Sequence, residues 1–301
     1  MKIVLTGSLG NISKPLAITL LQKGHSVIVI SKSPEKQKDI ENLGAMAAIG
    51  SVDDVDFLAK TFDGADLVYC MIPPNFKEAD QIAYYKRVGS NYAKAIGQAG
   101  VKRVIHLSSY GAHLEKGTGF ITGSYEVEKI FNALPGIRVT HIRPGYFYYN
   151  LFNFIGMIKA TGFIASNYGG NDKLGLVSPL DIAAAIAEEI ALPGATNKVC
   201  YVISDDRSCN EIASVLGNAI GQPGLQWNLL TDEQALTSLQ ASGIPASTAA
   251  TLVELGVATH SGILREDYDR QQPTQGKIKL ETFAKEFAAA YHDEANRRPA
   301  H

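Results

Sequence analysis

The sequence predicts an α/β protein with a doubly wound parallel sheet and a smaller, α-rich C-terminal cap. In the first half of the chain, short β-rich runs alternate with helical patterns, which is typical of a parallel sheet covered by helices on both faces. After Pro144 the helical patterns become longer and the β-rich runs become fewer. We therefore expect a sheet domain over residues 1–145 and a cap region over residues 146–301.

Six short runs of aliphatic and β-branched residues are the predicted strands of the sheet. They lie at residues 2–6, 26–30, 45–49, 67–72, 101–107 and 138–142. A seventh run, residues 198–203, belongs to the cap region by sequence, and we expect it to return to the same sheet.

Start and stop signals place the helices between these strands. The first helix, residues 12–23, ends at Gly24, because glycine readily adopts the left-handed conformation that closes a helix. A Ser-Pro pair at Ser33 predicts the start of another helix, and a second such pair at Ser178 leads into residues 182–191. Further helical patterns lie at residues 77–98, 208–221, 231–241, 245–258 and 280–291.

Composition excludes several classes of protein. The chain of 301 residues is 46% hydrophobic and 19% charged, which is ordinary for a globular protein and unlike a disordered or fibrous one. Lys and Arg number 28 against 30 Asp and Glu, so no overall field attracts nucleic acid or an anionic membrane. We therefore expect a small-molecule substrate and neither a nucleic acid nor a membrane as partner.

The cysteines and the apolar runs indicate a cytoplasmic protein. Cys70, Cys200 and Cys209 are odd in number and form no Cys-x-x-Cys pair, which predicts neither a disulfide framework nor a metal site. The apolar run after Met1 is too short for a signal peptide, and no run is long enough to cross a membrane.

The turn between the first predicted strand and helix carries the clearest functional signal. Its candidate cofactor-binding residues are Gly7, Ser8, Leu9, Gly10, Asn11 and Ile12. A dinucleotide pyrophosphate needs a backbone that turns sharply, approaches closely and ends at the N–H groups of a helix N-terminus. Gly7 and Gly10 supply the turn and the approach, which predicts an NAD(P)-binding Rossmann domain. The alternative is an ordinary strand-to-helix turn.

The end of the second predicted strand indicates which dinucleotide is bound. An acidic residue there would bond the ribose hydroxyls of NAD(H). This chain instead has Ser31, Lys32 and Ser33, whose hydroxyls and ammonium group suit a 2′-phosphate. The sequence therefore predicts NADP(H) in preference to NAD(H). The alternative is that Ser33 only caps the next helix and Lys32 is solvated.

Three more strand ends offer cofactor contacts, because ligands of open parallel sheets collect at the carboxyl ends of the strands. Asp53 is a candidate partner for the adenine amino group, or alternatively a helix N-cap. Ile72 and Pro73 are expected beside the ribose, and Ser108 near the nicotinamide. Either Ser108 or Ser109 has an alternative role as a turn residue.

Five segments spread over nearly the whole chain form a pattern seen in a known family. They are residues 6–10 (TGSLG), the Pro73-Pro74 pair, and residues 100–109 (GVKRVIHLSS), 143–150 (RPGYFYYN) and 281–287 (ETFAKEF). Together they resemble the NmrA-like family of atypical short-chain dehydrogenases/reductases. The resemblance implies a Rossmann domain with a small α-rich cap. Ser13 departs from the pattern where glycine is usual, and Ser51 where aspartate is frequent.

One tyrosine and lysine have the spacing of the catalytic pair of the wider superfamily. There, the resemblance implies, a tyrosine protonates the substrate and a lysine four residues later lowers the pKa of that tyrosine. Tyr125 and Lys129 have this spacing, but only 15 positions separate Lys129 from Pro144, where the catalytic relatives have a long helix. We therefore assign no catalytic residue. The candidate substrate-pocket residues are Ser109, Tyr110, Tyr125, Tyr146 and Phe147.

The resemblance implies two classes of function, because the family contains NADPH-dependent quinone and dye reductases and also regulators that bind the cofactor without turning it over. The favoured prediction is an NADPH-dependent reductase that transfers hydride to a conjugated, quinone-like molecule. The alternative is a non-catalytic NADP(H)-sensing regulator that binds a protein partner. A sugar-nucleotide epimerase or dehydratase is a third possibility.

Overall fold

A seven-stranded sheet is the largest element of the computed structural model, which describes residues 1–75, 78–192 and 197–293. The chain forms two compact units. The first contains Met1–Glu115, Ile121–Arg143 and Ile182–Tyr201. The second contains Lys116–Phe120, Pro144–Asp181 and the described part of Val202–His301.

The strands lie in three sheets. They are β1 (Lys2–Leu5), β2 (Ser26–Ser31), β3 (Met46–Ile49), β4 (Leu67–Cys70), β5 (Arg103–Leu107), β6 (Arg138–Pro144), β7 (Tyr146–Phe147), β8 (Ile164–Ser166), β9 (Lys173–Val177), β10 (Lys198–Val202), β11 (Asp205–Ser208) and β12 (Trp227–Leu229). The large sheet has the order β10-β6-β5-β4-β1-β2-β3. Its order reverses at β1, which pairs in parallel with both β2 and β4. This arrangement confirms the predicted doubly wound parallel sheet, and the reversal is where such sheets bind ligands.

Twelve helices are assigned in the described residues. They are α1 (Ser13–Gln22), α2 (Gln37–Asn42), α3 (Val55–Phe62), α4 (Gln81–Ala99), α5 (Ile121–Asn132), α6 (Ile155–Thr161), α7 (Pro179–Ala191), α8 (Cys209–Ala219), α9 (Asp232–Ala241), α10 (Ala246–His260), α11 (Glu266–Gln271) and α12 (Leu280–His292). Lys77, the predicted start of the helix over residues 77–98, lies outside the described residues. The helix begins at Gln81, where the Asp80 carboxylate accepts a hydrogen bond from the Ala83 N–H across 2.9 Å. None of the described helices is both long and apolar enough to span a bilayer.

The core of the first unit forms where the sheet packs against its helices. Val4, Val68 and Val104 on three neighbouring strands are fully buried, as expected of parallel strands covered on both faces. Tyr92 of α4 packs in the same cluster, and its hydroxyl donates a hydrogen bond of 2.9 Å to the Met71 carbonyl. This contact secures the chain just beyond the end of β4.

The second unit contains five strands that the sequence did not predict. β7, β9 and β11 form one small sheet, and β8 and β12 form another. These strands are two to five residues long, too short for a periodic pattern to stand out. An aromatic core holds the unit together, with the ring of Tyr148 stacked on that of Phe283 at 5.1 Å between centroids.

Candidate functional site

The glycine turn after β1 has a backbone that only glycine fits easily at its first position. Gly7 has a φ of +89°, and Ser8 follows with a φ of +53°. A Cβ on Gly7 would lie 2.7 Å from Ser13 Oγ and 2.9 Å from Met71 Cγ. Ser13, the departure from the family pattern, is buried, and its hydroxyl donates to the Thr6 carbonyl across 2.9 Å. The space left by the missing side chain of Gly7 therefore accommodates the hydroxyl of Ser13.

The N-terminus of α1 has the properties of a phosphate-binding site. The first N–H groups of any helix lack carbonyl partners within the helix, and they carry the positive end of its dipole. In the described structure no side chain caps α1 at Ile12, which is also true of several other helices, but α1 alone follows the glycine turn after β1. The cradle formed by Gly7 and the start of α1 therefore fits a dinucleotide pyrophosphate.

The glycine turn is joined to the end of β2. The Ser8 N–H donates to the Ile30 carbonyl across 3.0 Å, and the Ser8 hydroxyl donates to the Ser31 hydroxyl across 2.9 Å. Ser31 is buried, Lys32 is exposed and Ser33 is half-buried. The structure thus brings the predicted selectivity residues to the same edge of the sheet as the turn.

An acidic residue beside these selectivity residues was missed by the sequence analysis. The Ser33 hydroxyl donates to Glu35 Oε2 across 3.5 Å, so a carboxylate stands beside a hydroxyl predicted to bind phosphate. Ser33 occupies the N-cap position of a 3-10 helix at Pro34–Lys36, but in the described structure its side chain makes no capping bond. Acidic residues favour the first turn of a helix, and this general preference was the available signal for Glu35.

Asp53 does not cap the helix that follows it. The N-cap of α3 is Asp54, whose carboxylate accepts from the Phe57 N–H across 3.0 Å. The alternative role considered for Asp53 is therefore wrong by one residue. Asp53 is exposed, and its carboxylate accepts a hydrogen bond from Arg87 Nε across 3.3 Å. A contact between Asp53 and adenine stays a prediction.

The chain beyond β4 is fixed by hydrogen bonds. β4 ends at Cys70, two residues before the predicted end at Ile72. The Met71 N–H donates to Thr6 Oγ1 across 2.8 Å, and the Pro73 carbonyl accepts from the Tyr84 hydroxyl across 2.8 Å. Ile72 is buried between these two fixed points.

A buried polar network lies at the carboxyl end of β5. The Ser108 hydroxyl donates to Glu128 Oε1 across 2.5 Å. Arg143 forms two hydrogen bonds with the same carboxylate, from Nε to Oε1 at 2.9 Å and from Nη2 to Oε2 at 2.7 Å. Arg143 Nη1 also donates to the Tyr201 hydroxyl across 3.0 Å. Glu128 and Arg143 were not predicted as site residues, because the partners lie 20 and 15 residues apart in sequence.

The charges in this network stabilise one another. Burial lowers the pKa of the Arg143 guanidinium, but the hydrogen bonds and negative charge of Glu128 outweigh burial and raise that pKa above its ordinary value. Arg143 is therefore a permanent cation in the network.

Two of the predicted substrate residues of the first unit, Ser109 and Tyr110, lie beside this network. The Ser109 hydroxyl donates to the Tyr110 carbonyl across 3.1 Å. The Tyr110 ring meets the Tyr201 ring edge to face, with centroids 6.3 Å apart. Tyr125 of α5 is half-buried, and Lys129 on the same helix is exposed. Among the described residues, no hydrogen bond joins Tyr125 to Lys129.

Tyr146 and Phe147 of the second unit point to opposite faces of β7, as neighbouring residues of a strand do. Tyr146 packs against the aromatic core of that unit, and burial raises the pKa of its phenol to about 12. Phe147 instead stacks on Tyr149, with centroids 5.0 Å apart and an interplanar angle of 18°. Both rings of this pair are half-buried.

The described residues were compared with the arrangement that a metal site needs. Among them, no group of three His, Cys, Asp or Glu side chains is arranged to hold a metal ion. Cys70, Cys200 and Cys209 are all free thiols.

The sequence and the fold match known proteins. The model of the NmrA-like family matches residues 1–261. No curated protein matches the sequence significantly. Triphenylmethane reductase of Citrobacter sp. is 19% identical with a TM-score of 0.80, over 96% of this chain and 100% of that chain.

Two further solved structures share the fold. An NADPH-dependent quinone oxidoreductase from Escherichia coli, complexed with NADPH, is 20% identical with a TM-score of 0.80, over 94% of this chain and 99% of that chain. A nucleoside-diphosphate-sugar epimerase from Staphylococcus aureus is 17% identical with a TM-score of 0.79, over 95% of this chain and 100% of that chain. Such low identities show a shared fold and leave the activity to be argued from the site.

Proposed function

The chain belongs to the NmrA-like family, and on that premise we propose that it is an NADPH-dependent reductase of conjugated, quinone-like small molecules. The observation that carries the proposal is the glycine turn, in which Gly7 adopts a φ of +89° and leads into helix α1, whose N-terminus has no capping side chain. The similarity to a quinone oxidoreductase and to a triphenylmethane reductase agrees with this class of activity.

The residues at the carboxyl edge of the sheet have defined roles under this proposal. Gly7 to Ile12 hold the pyrophosphate, Asp53 contacts the adenine, and Ile72 and Pro73 line the ribose. Ser108 contacts the nicotinamide. When bound, the reduced nicotinamide supplies the hydride. The protein binds and orients the reactants and excludes water from them.

The preference for NADP(H) rests on the residues after β2. Ser31 and Ser33 supply hydroxyl groups, and exposed Lys32 supplies a cation for the 2′-phosphate. A charge-assisted hydrogen bond contributes about 1.5–3 kcal/mol, which is about 10- to 100-fold in affinity. Glu35 opposes this preference, because its carboxylate lies beside Ser33.

A conjugated substrate does not require a strong general acid from the protein. Such an acceptor stabilises the added charge over its own π-system, and water can deliver the proton. Ser109, Tyr110 and Tyr125 of the first unit are the proposed substrate contacts. The Phe147–Tyr149 pair presents a flat aromatic surface suited to stacking on a planar molecule.

The second candidate function is an NADP(H)-sensing regulator that binds a protein partner. It is favoured by one observation: in the described structure Lys129 is exposed and makes no hydrogen bond to the half-buried Tyr125, which gives no support for a working catalytic pair. The same observation disfavours an epimerase or a dehydratase, which need a strong acid or base. Three free cysteines agree with a reducing compartment, and we place the protein in the cytoplasm under either proposal.

The deciding experiment is NADPH oxidation across a panel of quinones and triphenylmethane dyes, with Gly10→Glu as the control. A Cβ at position 10 would lie 3.1 Å from the Gly7 carbonyl, and the added carboxylate would repel the pyrophosphate. Turnover that the substitution abolishes supports the reductase. A wild-type protein that binds NADPH but reduces none of the acceptors supports the regulator instead.

A further inference from the structure

The hydroxyl of Ser108 has its single proton committed to Glu128. Ser108 Oγ donates this proton to Glu128 Oε1, and a carboxylate is a strong hydrogen-bond acceptor. Because Arg143 holds both carboxylate oxygens of Glu128 by its own N–H groups, Glu128 is fixed as an acceptor. Ser108 must therefore act as the donor in this contact, and its lone pairs are left to accept hydrogen bonds from elsewhere.

The position of Ser108 allows such an acceptor role toward a ligand. Ser108 directly follows β5 at the carboxyl edge of the sheet, and 7% of its surface remains exposed. The carboxamide of nicotinamide carries an NH₂ group, which can only donate hydrogen bonds. A hydroxyl fixed as an acceptor is complementary to that group.

We propose that Glu128 and Arg143 are positioning residues that fix Ser108 as a hydrogen-bond acceptor for the nicotinamide carboxamide. This inference rests on the proposed function, because it requires that a nicotinamide cofactor binds at the carboxyl edge of the sheet. It assigns a role to the buried ion pair between Glu128 and Arg143.

The energetics of buried ion pairs support a positioning role. Removing two charges from water costs about as much free energy as their attraction recovers, so such a pair adds little net stability. Its hydrogen bonds nevertheless impose one geometry on their partners. Arg143 extends that geometry to Tyr201, whose ring packs edge to face on the ring of Tyr110. One ion pair thus orients two neighbouring residues of the proposed site.

The test compares NADPH with 2′,5′-ADP, which carries the 2′-phosphate but lacks the nicotinamide. Dissociation constants of both are measured by calorimetry for the wild type, Ser108→Ala and the matched control Ser90→Ala. We expect Ser108→Ala to weaken the binding of NADPH about tenfold and the binding of 2′,5′-ADP less than twofold. Ser90 is half-buried on α4 and has no proposed contact with cofactor or substrate, so Ser90→Ala should leave the ratio of the NADPH and 2′,5′-ADP dissociation constants unchanged.

The role of Glu128 is tested in the same assay by coupling. In the otherwise wild-type protein, Glu128→Gln should weaken the binding of NADPH more than that of 2′,5′-ADP. In the Ser108→Ala background it should have no further effect, because both substitutions remove the fixed acceptor hydroxyl of Ser108. If Glu128→Gln does not fold, the double variant Glu128→Met/Arg143→Met replaces the charges by apolar side chains of similar length. This replacement of a buried pair is often neutral for stability.

Each failure has a distinct result. If Ser108→Ala or the Glu128 variants leave the NADPH to 2′,5′-ADP ratio of the wild type unchanged, the positioning role is overturned while the proposed function stands. If the Glu128 variants weaken the binding of both ligands equally, Glu128 has a purely structural role, and the positioning role is again overturned. If the wild type binds neither ligand, the proposed function itself fails.

Discussion

The hydroxyl of Ser8 donates a hydrogen bond to the hydroxyl of Ser31 across 2.9 Å. This bond connects the glycine turn after β1 to the last residue of β2, and it fixes the point from which Lys32 and Ser33 continue. The charges that follow Ser31 therefore lie next to the turn proposed to bind the pyrophosphate. Two of these charges, those of Lys32 and Glu35, have opposite signs, and each leads to a prediction about cofactor selectivity.

Lys32→Ala should weaken NADPH binding about 10- to 100-fold and leave NADH binding within about twofold, because only NADPH carries the 2′-phosphate. The measurement is the dissociation constant of each cofactor by fluorescence titration. Lys38→Ala is the matched control, since Lys38 is an exposed lysine on the neighbouring helix α2. Equal losses for the two cofactors in Lys32→Ala would refute the assignment of the 2′-phosphate site.

Glu35→Gln should have the opposite effect and tighten NADPH binding by about threefold, because it removes a negative charge beside Ser33. The gain should shrink when the salt concentration is raised from 0.05 to 0.5 M, since Glu35 is exposed and its field is screened. NADPH affinity measured at both salt concentrations checks this. Affinity that is unchanged at low salt would place the phosphate away from Glu35.

Gly7→Ala should destabilise the protein more than Gly24→Ala. Both glycines have positive φ angles, of +89° and +77°, which cost an alanine about 1–2 kcal/mol. A Cβ at Gly24 would meet no atom within 4 Å, whereas one at Gly7 would lie 2.7 Å from Ser13 Oγ. The crowding should add about 1–3 kcal/mol to the loss at Gly7. Urea unfolding gives the free energy of unfolding of each variant. Equal losses of stability in the two variants would show that the turn relaxes around the added methyl group.

The central strands of the large sheet could be predicted from the sequence because they are buried on both faces. Val4, Val68 and Val104 belong to short aliphatic runs, whose boundaries the structure moves by two residues or fewer. The small sheets of the second unit could not be predicted in this way. β7 consists of only Tyr146 and Phe147, and its pairing with β9 is decided by tertiary contacts.

The candidate site was predictable where one segment of chain forms it. The turn from Gly7 to Ile12 combines a local sequence signal with a local structure, so its residues could be read directly. Ser108 could be placed at a strand end, but its partner Glu128 lies 20 residues away, and only the packing of α5 brings the two together. The spacing of Ser108 and Glu128 in the sequence does not predict this contact, because it depends on where α5 packs.

A second buried contact joins β5 and β6, where His106 Nδ1 lies 3.0 Å from His141 Nδ1. His141 Nε2 lies 3.1 Å from Asn132 Oδ1, so a neutral His141 donates to Asn132 and accepts from His106. Desolvation lowers the pKa of His106 well below its ordinary value, and the charges of His141 and Arg143 lower it further. Desolvation is also the main cause that lowers the pKa of His141, to about 4, against an opposing effect of Glu128.

These pKa shifts predict that the protein loses stability in mild acid. Both histidines bind protons more weakly in the folded state than in the unfolded state, where the pKa is about 6.5. Stability is therefore fully present above about pH 7 and falls as the pH drops from 6.5 toward 4, by about 2 kcal/mol at pH 5 for His141 alone.

Urea unfolding at pH 7.5 and pH 5 should show a smaller loss of stability in His141→Gln than in the wild type. The exposed His292 provides the control, since His292→Gln should keep the wild-type loss. A His141→Gln variant that loses as much stability as the wild type would mean that His141 titrates alike in both states.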